Sequence, residues 1–196
     1  MTSLTTSITA HLERSAETKA ATASRCSAAA SAAAEAIAAS LKAGGKLLLC
    51  GNGGSAGDAQ HIAAEFVATL DHSKPRPGLA ALALTTDTSL ITAYSNDFGF
   101  AGVFSRQVEA LGREGDVLIG ISTSGNSGNV VAALEAARDK GITTIALTGT
   151  GGGSMAAVAD ILIDVPSSQT ALVQECHIAL GHAITAAVET LLGFRD

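Results

Sequence analysis

The sequence predicts a doubly wound α/β fold, in which five parallel strands form one sheet that is covered by helices on both faces. Five short apolar runs alternate with helical stretches after residue 45, and four of the five lead directly into turns rich in Gly, Ser, Thr or Asp. The runs do not alternate apolar with polar residues, which is typical of strands buried on both faces of a sheet.

The first 45 residues are rich in Ala, Ser and Thr and close on Gly44-Gly45, so they predict an N-terminal packing helix. The predicted strands are Lys46–Cys50, Ala80–Leu84, Asp116–Ile121, Thr143–Leu147 and Asp160–Val165. The predicted helices are Ala56–Leu70, Thr88–Ala110 with a break near Asn96 to Gly99 left open, Asn126–Lys140, a short piece at Ser154–Ala159, and a long final helix at Thr170–Leu192.

The length of 196 residues fits one domain. We expect a single domain over residues 1–196, with a helical extension over 1–45 and the α/β core and final helix over 46–196. Charged residues make up 15% of the chain, against roughly 25% in an average soluble domain. So few charged side chains would cover the surface of a monomer poorly. We therefore expect part of the surface to be buried against other subunits.

Net charge and cysteine usage exclude several classes of protein. A net charge of -6 lacks the basic field that binds nucleic acid or anionic lipid through phosphates. We find no apolar run near the ~20 residues that span a bilayer, so we expect no membrane partner. The scattered Cys26, Cys50 and Cys176 argue against a disulfide framework and a thiolate zinc site. Charges within residues 1–25 argue against an export signal, so we expect a cytoplasmic protein.

Two loops could hold a phosphate. The first predicted strand runs into the glycine-rich segment 51–58, where the backbone N–H groups and the start of a helix could approach an anion. The third strand ends in segment 122–129, which carries four hydroxyls in six residues at a helix start, more than one N-cap needs. Because ligands bind at the carboxyl ends of strands near the switch point of such a sheet, we look there first. We assign no chemistry to the glycine-rich loop 148–153.

Histidines and carboxylates follow these loops. His61 and Glu65 are four residues apart, so they share one helix face with ~6 Å of rise between them. This spacing suits a metal pair, an acid and base pair, or an ordinary surface pair of a helix. The final helix carries His177 and His182 among Ala and Leu residues, where histidines are often core residues with satisfied ring nitrogens.

Four motifs together resemble the phosphoheptose isomerases of the sugar isomerase (SIS) domain family, in matched order and spacing over nearly the whole chain. They are Gly51-Asn52-Gly53-Gly54-Ser55-Ala56-x-Asp58-Ala59-Gln60-His61-x-Ala63-x-Glu65, then Asn96-Asp97, then Ser122-Thr123-Ser124-Gly125-Asn126-Ser127, and Val165-Pro166-Ser167 with Gln174-Glu175-x-His177 and His182. The resemblance implies conversion of sedoheptulose 7-phosphate into D-glycero-D-manno-heptose 7-phosphate through an enediol. It also implies a flavodoxin-like sheet and a homotetramer with shared active sites.

The resemblance also implies roles for particular residues. Glu65 and His182 would carry the proton transfers. One Zn²⁺ per subunit would be bound by His61, Glu65, Gln174 and His182. The implied substrate contacts are Asn52, Gly53, Gly54, Ser55, Glu65, Asn96, Asp97, Ser122, Thr123, Ser124, Ser127 and Gln174.

Geometry leaves two alternatives open at the metal. Gln174 and His182 lie ~12 Å apart along a straight helix and ~80° around it. Either the helix begins or bends after Gln174, or residues around one metal come from two chains. His177, three residues after Gln174, is the alternative ligand to His182.

The sequence leaves three functions open. The first is the heptose phosphate isomerase, whose product would feed cell-envelope lipopolysaccharide or a secondary metabolite. The second is a non-catalytic SIS scaffold that binds a replication initiator or regulatory protein, although such relatives lack the glutamate that Glu65 provides here. The third is isomerisation of another ketose phosphate. Gln169 and Leu172 stand where many relatives have an acidic and a basic residue, which bears on substrate choice.

Overall fold

The computed structural model describes residues 3–195, which fold around one parallel five-stranded sheet with strand order β2-β1-β3-β4-β5. The helices are α1 (Leu4–Lys42), α2 (Gly54–Val67), α3 (Thr88–Phe98), α4 (Ser105–Leu111), α5 (Gly128–Asp139) and α6 (Thr170–Leu191). The strands are β1 (Leu47–Gly51), β2 (Ala81–Ala83), β3 (Val117–Ser122), β4 (Thr143–Thr148) and β5 (Ile161–Asp164). Both the predicted doubly wound fold and the flavodoxin-like strand order are confirmed.

The sheet separates two apolar cores. Leu47 and Leu49 of β1 point to the face covered by α1, α2 and α6, whereas Leu48 and Cys50 point to the face covered by α3, α4 and α5. All four side chains are fully buried, which explains why the strand reads as an unbroken apolar run. The chain passes from β2 back across β1 to β3, so the switch point of the sheet lies between β1 and β3.

Three of the predicted helices differ most from the structure. The predicted helix Thr88–Ala110 is two helices, because Gly99 has a φ of 89° that ends α3, and a 3₁₀ turn at Phe100–Gly102 follows. The predicted piece Ser154–Ala159 is a 3₁₀ helix at Gly153–Ala157. The helix after the first loop already begins at Gly54, so its first amides lie directly at the glycine-rich turn.

Helix α1 is ~58 Å long, and only its later part packs on the core. Its buried residues begin at Ser15, while Leu4, Ile8 and Leu12 are 84%, 62% and 63% exposed. These three leucine and isoleucine side chains recur every four residues and form an apolar stripe at the start of the helix.

Helix α6 is the central helix of the α1–α2–α6 layer. By length and composition it could cross a membrane, but half of its most apolar window is buried inside the protein. It packs against both α1 and α2. Its apolar character is therefore explained by core packing.

Candidate active site

Three of the four predicted metal ligands meet where α2 lies beside α6. His61 and Glu65 come from α2 and His182 comes from α6. The Nε2 atoms of the two histidines are 3.1 Å apart, and Glu65 Oε1 lies 3.1 Å from His61 Nε2 and 3.3 Å from His182 Nε2. Three potential donor atoms thus form a nearly equilateral triangle, which we call the triad.

The two helices can approach because one residue at their crossing has no side chain. A Cβ on Gly181 would lie 2.6 Å from Cδ1 of Ile62, which is itself buried. The residues beside this contact, His61 and His182, are thereby brought together, with their ring centroids 5.3 Å apart. His61 and Glu65, four residues apart on one face of α2, therefore supply two donor atoms, and the close crossing with α6 brings in the third.

The triad is suited to a divalent metal. Donors around a tetrahedral zinc ion with ligand distances near 2.1 Å lie about 3.4 Å from one another, close to the three separations observed. Two imidazole nitrogens and a carboxylate are also the donor set of many catalytic zinc sites, in which a further position stays open. Oε2 of Glu65 is buried and has no hydrogen-bond partner among residues 3–195. The residues present therefore fit a bound metal ion.

The fourth predicted ligand, Gln174, lies elsewhere in the same chain. Its amide packs against Gly54 at the start of α2, where a Cβ would be 2.5 Å from Nε2 of Gln174. Because α6 already begins at Thr170, the alternative that this helix begins after Gln174 is wrong, and a bend after Gln174 stays a prediction. Gln174 as a ligand stays a prediction, together with the alternative of ligands from two chains.

His177 lies away from the triad. The side chain is fully buried and its Nε2 donates to the carbonyl oxygen of Thr148, at 3.1 Å. Burial lowers the pKa of His177 to about 4, so the ring is neutral at pH 7. The structure places His182, and not His177, beside His61 and Glu65.

The first loop is tied to the second by a pair of side-chain amides. Asn52, from the glycine-rich loop, donates to Asn129 Oδ1 at 2.8 Å and accepts from Asn129 Nδ2 at 2.9 Å. Gly53 has a φ of 55°, which favours glycine at the turn into α2. Gly54 then begins α2, and the buried Ser55 follows. The loops after β1 and β3 therefore form one rim at the switch point of the sheet.

The second loop gathers hydroxyl groups at the start of α5. Ser122 Oγ lies 2.9 Å from Ser127 Oγ and 3.4 Å from Ser124 Oγ, and Thr123 is half-buried between them. Ser127 is the N-cap residue of α5, but its side chain makes no capping hydrogen bond. The Ser127 hydroxyl therefore does not cap the start of α5, and it can donate to an anion.

The remaining predicted contacts, Asn96 and Asp97, lie at the end of α3. Both are exposed, and the Asn96 amide donates to Asp97 Oδ1 at 2.8 Å. Within residues 3–195, neither side chain forms a hydrogen bond with the triad or the two loops. They stay predicted substrate contacts.

The structure adds two residues that the sequence did not single out for a role. Asn129 is 5% exposed and forms hydrogen bonds with Asn52. In the sequence it is a polar residue near the start of a helix, which is typical of ordinary helix capping. Asp58 is half-buried on the α2 face between Gly54 and His61, and its Oδ2 has no partner among the described residues. Burial raises the pKa of Asp58, while His61 opposes that shift.

Comparisons with known proteins agree with one another. The SIS domain family matches residues 10–149 of the chain. The chain is 58% identical over 153 residues to a phosphoheptose isomerase of Nitratidesulfovibrio vulgaris, covering 78% of this chain and 73% of the relative. It is 63% identical over 144 residues to a phosphoheptose isomerase of Desulfovibrio desulfuricans, covering 74% and 68%. The solved phosphoheptose isomerase of Neisseria gonorrhoeae has a TM-score of 0.90 and 47% identity, covering 96% of this chain and 100% of that one.

Proposed function

This chain belongs to the SIS domain family as one of its phosphoheptose isomerases, and from that premise we propose that it converts sedoheptulose 7-phosphate into D-glycero-D-manno-heptose 7-phosphate at the triad. The chain is an aldose–ketose isomerase of heptose biosynthesis. The observation that carries the proposed site is the near-equilateral arrangement of His61, Glu65 and His182, next to a rim of loops suited to a phosphate.

The two loops bind the phosphate end of the sugar. Hydroxyls of Ser122, Thr123, Ser124 and Ser127 and the amides at the start of α2 and α5 supply donors without a cationic side chain. Along α2, His61 lies ~10 Å from Gly54. The phosphate ester and the reacting carbons are at opposite ends of the open-chain sugar, so two separated subsites suit this substrate. Asn96, Asp97 and Gln174 are proposed to complete them.

Two groups of the triad move protons. A base must take a proton from C1 of the ketose, and an acid must supply one to C2. Glu65 is the proposed base and His182 the proposed proton donor. Glu65 presents one oxygen to the imidazoles and keeps Oε2 unpartnered in a buried position, so one carboxylate offers both a metal-binding atom and a basic atom. The alternative is that Glu65 leaves the metal when substrate arrives.

The proposed cofactor is one Zn²⁺ per subunit, held by His61, Glu65 and His182, with Gln174 as the fourth predicted ligand. When bound, zinc polarises the substrate carbonyl and stabilises the negative charge that develops on the enediol. Binding and orientation of the sugar phosphate are the work of the protein's own loops.

We also propose a homotetramer with shared active sites in the cytoplasm. His61 and His182 have side chains that are 54% and 46% exposed, so the triad opens to the protein surface. The apolar stripe of Leu4, Ile8 and Leu12 and a groove of about 320 Å³ between α1 and α6 leave apolar surface for other copies. The heptose would feed cell-envelope lipopolysaccharide or a secondary metabolite.

The non-catalytic scaffold is the weaker alternative. The relatives described above are named as enzymes, and the triad contains Glu65, the residue that the scaffold alternative lacks. Isomerisation of another ketose phosphate would use the same loops and triad.

The test is turnover of purified protein with sedoheptulose 7-phosphate, before and after treatment with a chelator. We expect formation of the aldose, loss of activity on metal removal, and recovery when Zn²⁺ is added back. Full activity in thoroughly metal-depleted protein would overturn the metal site. Turnover of a different ketose phosphate in place of this one would favour the third function.

A further inference from the structure

A buried arginine that lies outside the four sequence motifs caps the helix that carries Glu65. The side chain of Arg76 is 1% exposed. Its Nη2 donates to the carbonyl oxygen of Glu65 at 2.7 Å, and its Nη1 donates to the carbonyl oxygen of Phe66 at 2.8 Å. Both carbonyls belong to the last turn of α2, where carbonyls lack partners within the helix. A guanidinium there also interacts favourably with the negative end of the helix dipole.

The same guanidinium reaches the helix that carries His182. Nε of Arg76 donates to Oε1 of Glu189 at 2.6 Å, and Glu189 is 3% exposed at its side chain. Glu189 lies seven residues after His182, two turns along the same face of α6. Burial pushes the pKa of Glu189 upward, yet hydrogen bonds from Arg76 and Arg195 bring it below its usual value, so the carboxylate is ionised.

We propose that Arg76, through its pair with Glu189, is a positioning residue of the isomerase: it fixes the end of α2 on α6 and thereby sets the distance between Glu65 and the imidazole of His182. This inference rests on the proposed role of the triad. Arg76 donates to the backbone carbonyl oxygen of Glu65 itself, so only the side chain of Glu65 lies between this hydrogen bond and the carboxylate. The contact of Gly181 with Ile62 holds the two helices one turn earlier, and the arginine holds them at the end of α2.

The geometry needs a guanidinium. Arg76 donates to three carbonyl oxygens, of Glu65, Phe66 and Pro77, and to one carboxylate oxygen, a fork that a single ammonium group cannot reproduce. Arg76→Lys should therefore keep the charge opposite Glu189 and lose the fixed orientation of the last turn of α2. Arg76→Met removes the charge as well.

The control is a second ion pair, which lies outside α2 and α6 and has a lysine side chain that is 25% exposed. Lys46 Nζ lies 2.5 Å from Oδ2 of Asp116, whose side chain is 2% exposed, just before β1 and β3 begin. Lys46→Met breaks that pair with the same replacement as Arg76→Met. It should lower thermal stability without touching α2 or α6.

The experiment compares wild type, the two Arg76 variants and Lys46→Met by three measurements. These are the thermal midpoint, kcat and KM with sedoheptulose 7-phosphate for the zinc-loaded enzyme, and Co²⁺ titration of metal-free protein followed by its visible absorption. For Arg76→Lys we expect Co²⁺ affinity and kcat to fall about tenfold or more, with an altered Co²⁺ spectrum and KM nearly unchanged. Lys46→Met should keep wild-type kcat, Co²⁺ affinity and spectrum despite a lower thermal midpoint.

Two results distinguish failure of the positioning role from failure of the proposed function. If wild type binds Co²⁺ and turns over but Arg76→Lys differs from it only in thermal midpoint, the positioning role is wrong and Arg76 is merely structural. If wild type itself neither binds Co²⁺ nor isomerises the sugar, the proposed function is wrong and the inference falls with it. Should Arg76→Met fail to fold, Arg76→Lys decides the question.

Discussion

Adding one methyl group at the crossing of α2 and α6 should damage the reaction more than the fold. The substitution is Gly181→Ala, one residue before His182. The new Cβ would lie 2.6 Å from Cδ1 and 2.8 Å from Cγ1 of Ile62, against the 3.5–4.0 Å at which carbon atoms normally rest. Ile62 is 2% exposed and cannot swing away into solvent, so the helices must separate by about 1 Å.

The substitution Gly181→Ala should change the stability of the protein less than its turnover rate. Overpacking costs about 1–3 kcal/mol, and replacing a helical glycine by alanine returns about 1 kcal/mol, so the net loss of stability is roughly 1 kcal/mol. That corresponds to a few degrees in thermal midpoint for a chain of this length. A 1 Å misplacement of reacting groups can lower the rate about 100-fold. We therefore expect a folded protein whose kcat falls at least tenfold.

The assay is steady-state turnover of sedoheptulose 7-phosphate beside a thermal melt, with Gly57→Ala as the matched control. Gly57 is likewise a helical glycine, in α2 where Gly181 is in α6, but its Cβ would meet nothing within 4 Å. Gly57→Ala should raise stability by up to about 1 kcal/mol and leave kcat unchanged. If Gly181→Ala behaved like Gly57→Ala in both measurements, the close crossing would not be what sets the triad.

Three other outcomes follow from the structure. Because burial lowers the pKa of His177 to about 4, the unfolded chain binds a proton below about pH 6.5 that the folded chain does not bind until about pH 4. The free energy of unfolding should therefore fall by up to about 3 kcal/mol as the pH drops from 6.5 to 4. His177→Gln should remove this part of the pH dependence of the unfolding free energy, as measured by urea titrations. Asn129→Ala leaves the amide of Asn52 unpaired and should raise KM about tenfold with a smaller effect on kcat, whereas an equal loss in kcat would contradict a binding role. Ile8→Glu places a charge in the exposed apolar stripe of α1 and should shift the proposed tetramer to smaller species in sedimentation velocity, while an unchanged mass would exclude that stripe from the interface.

The central strands were predictable because each is a short apolar run that is buried on both faces of the sheet. β1 and β3 are buried at every position, so the apolar runs mark them within one residue. Helix ends were less predictable. Whether Gly99 breaks a helix depends on its backbone angle of 89°, which the local sequence permits but does not require.

The site divides in the same way. His61 and Glu65 share a face through helical periodicity alone, so their proximity was predicted from spacing. His182 is 121 residues from His61, and its placement came from the family resemblance and not from local pattern. Arg76 contacts Glu189 across 113 residues and Asn129 contacts Asn52 across 77. Such pairings depend on how helices cross and loops meet, which composition and periodicity do not encode.

The exchange of the C1 hydrogen of sedoheptulose 7-phosphate with solvent, followed by NMR in D₂O on zinc-loaded Glu65→Gln protein, tests most directly whether Glu65 is the base. With metal content and Kd for the sugar phosphate close to wild type, exchange and turnover should fall by about 100-fold or more. Exchange at the wild-type rate would show that another group removes the proton.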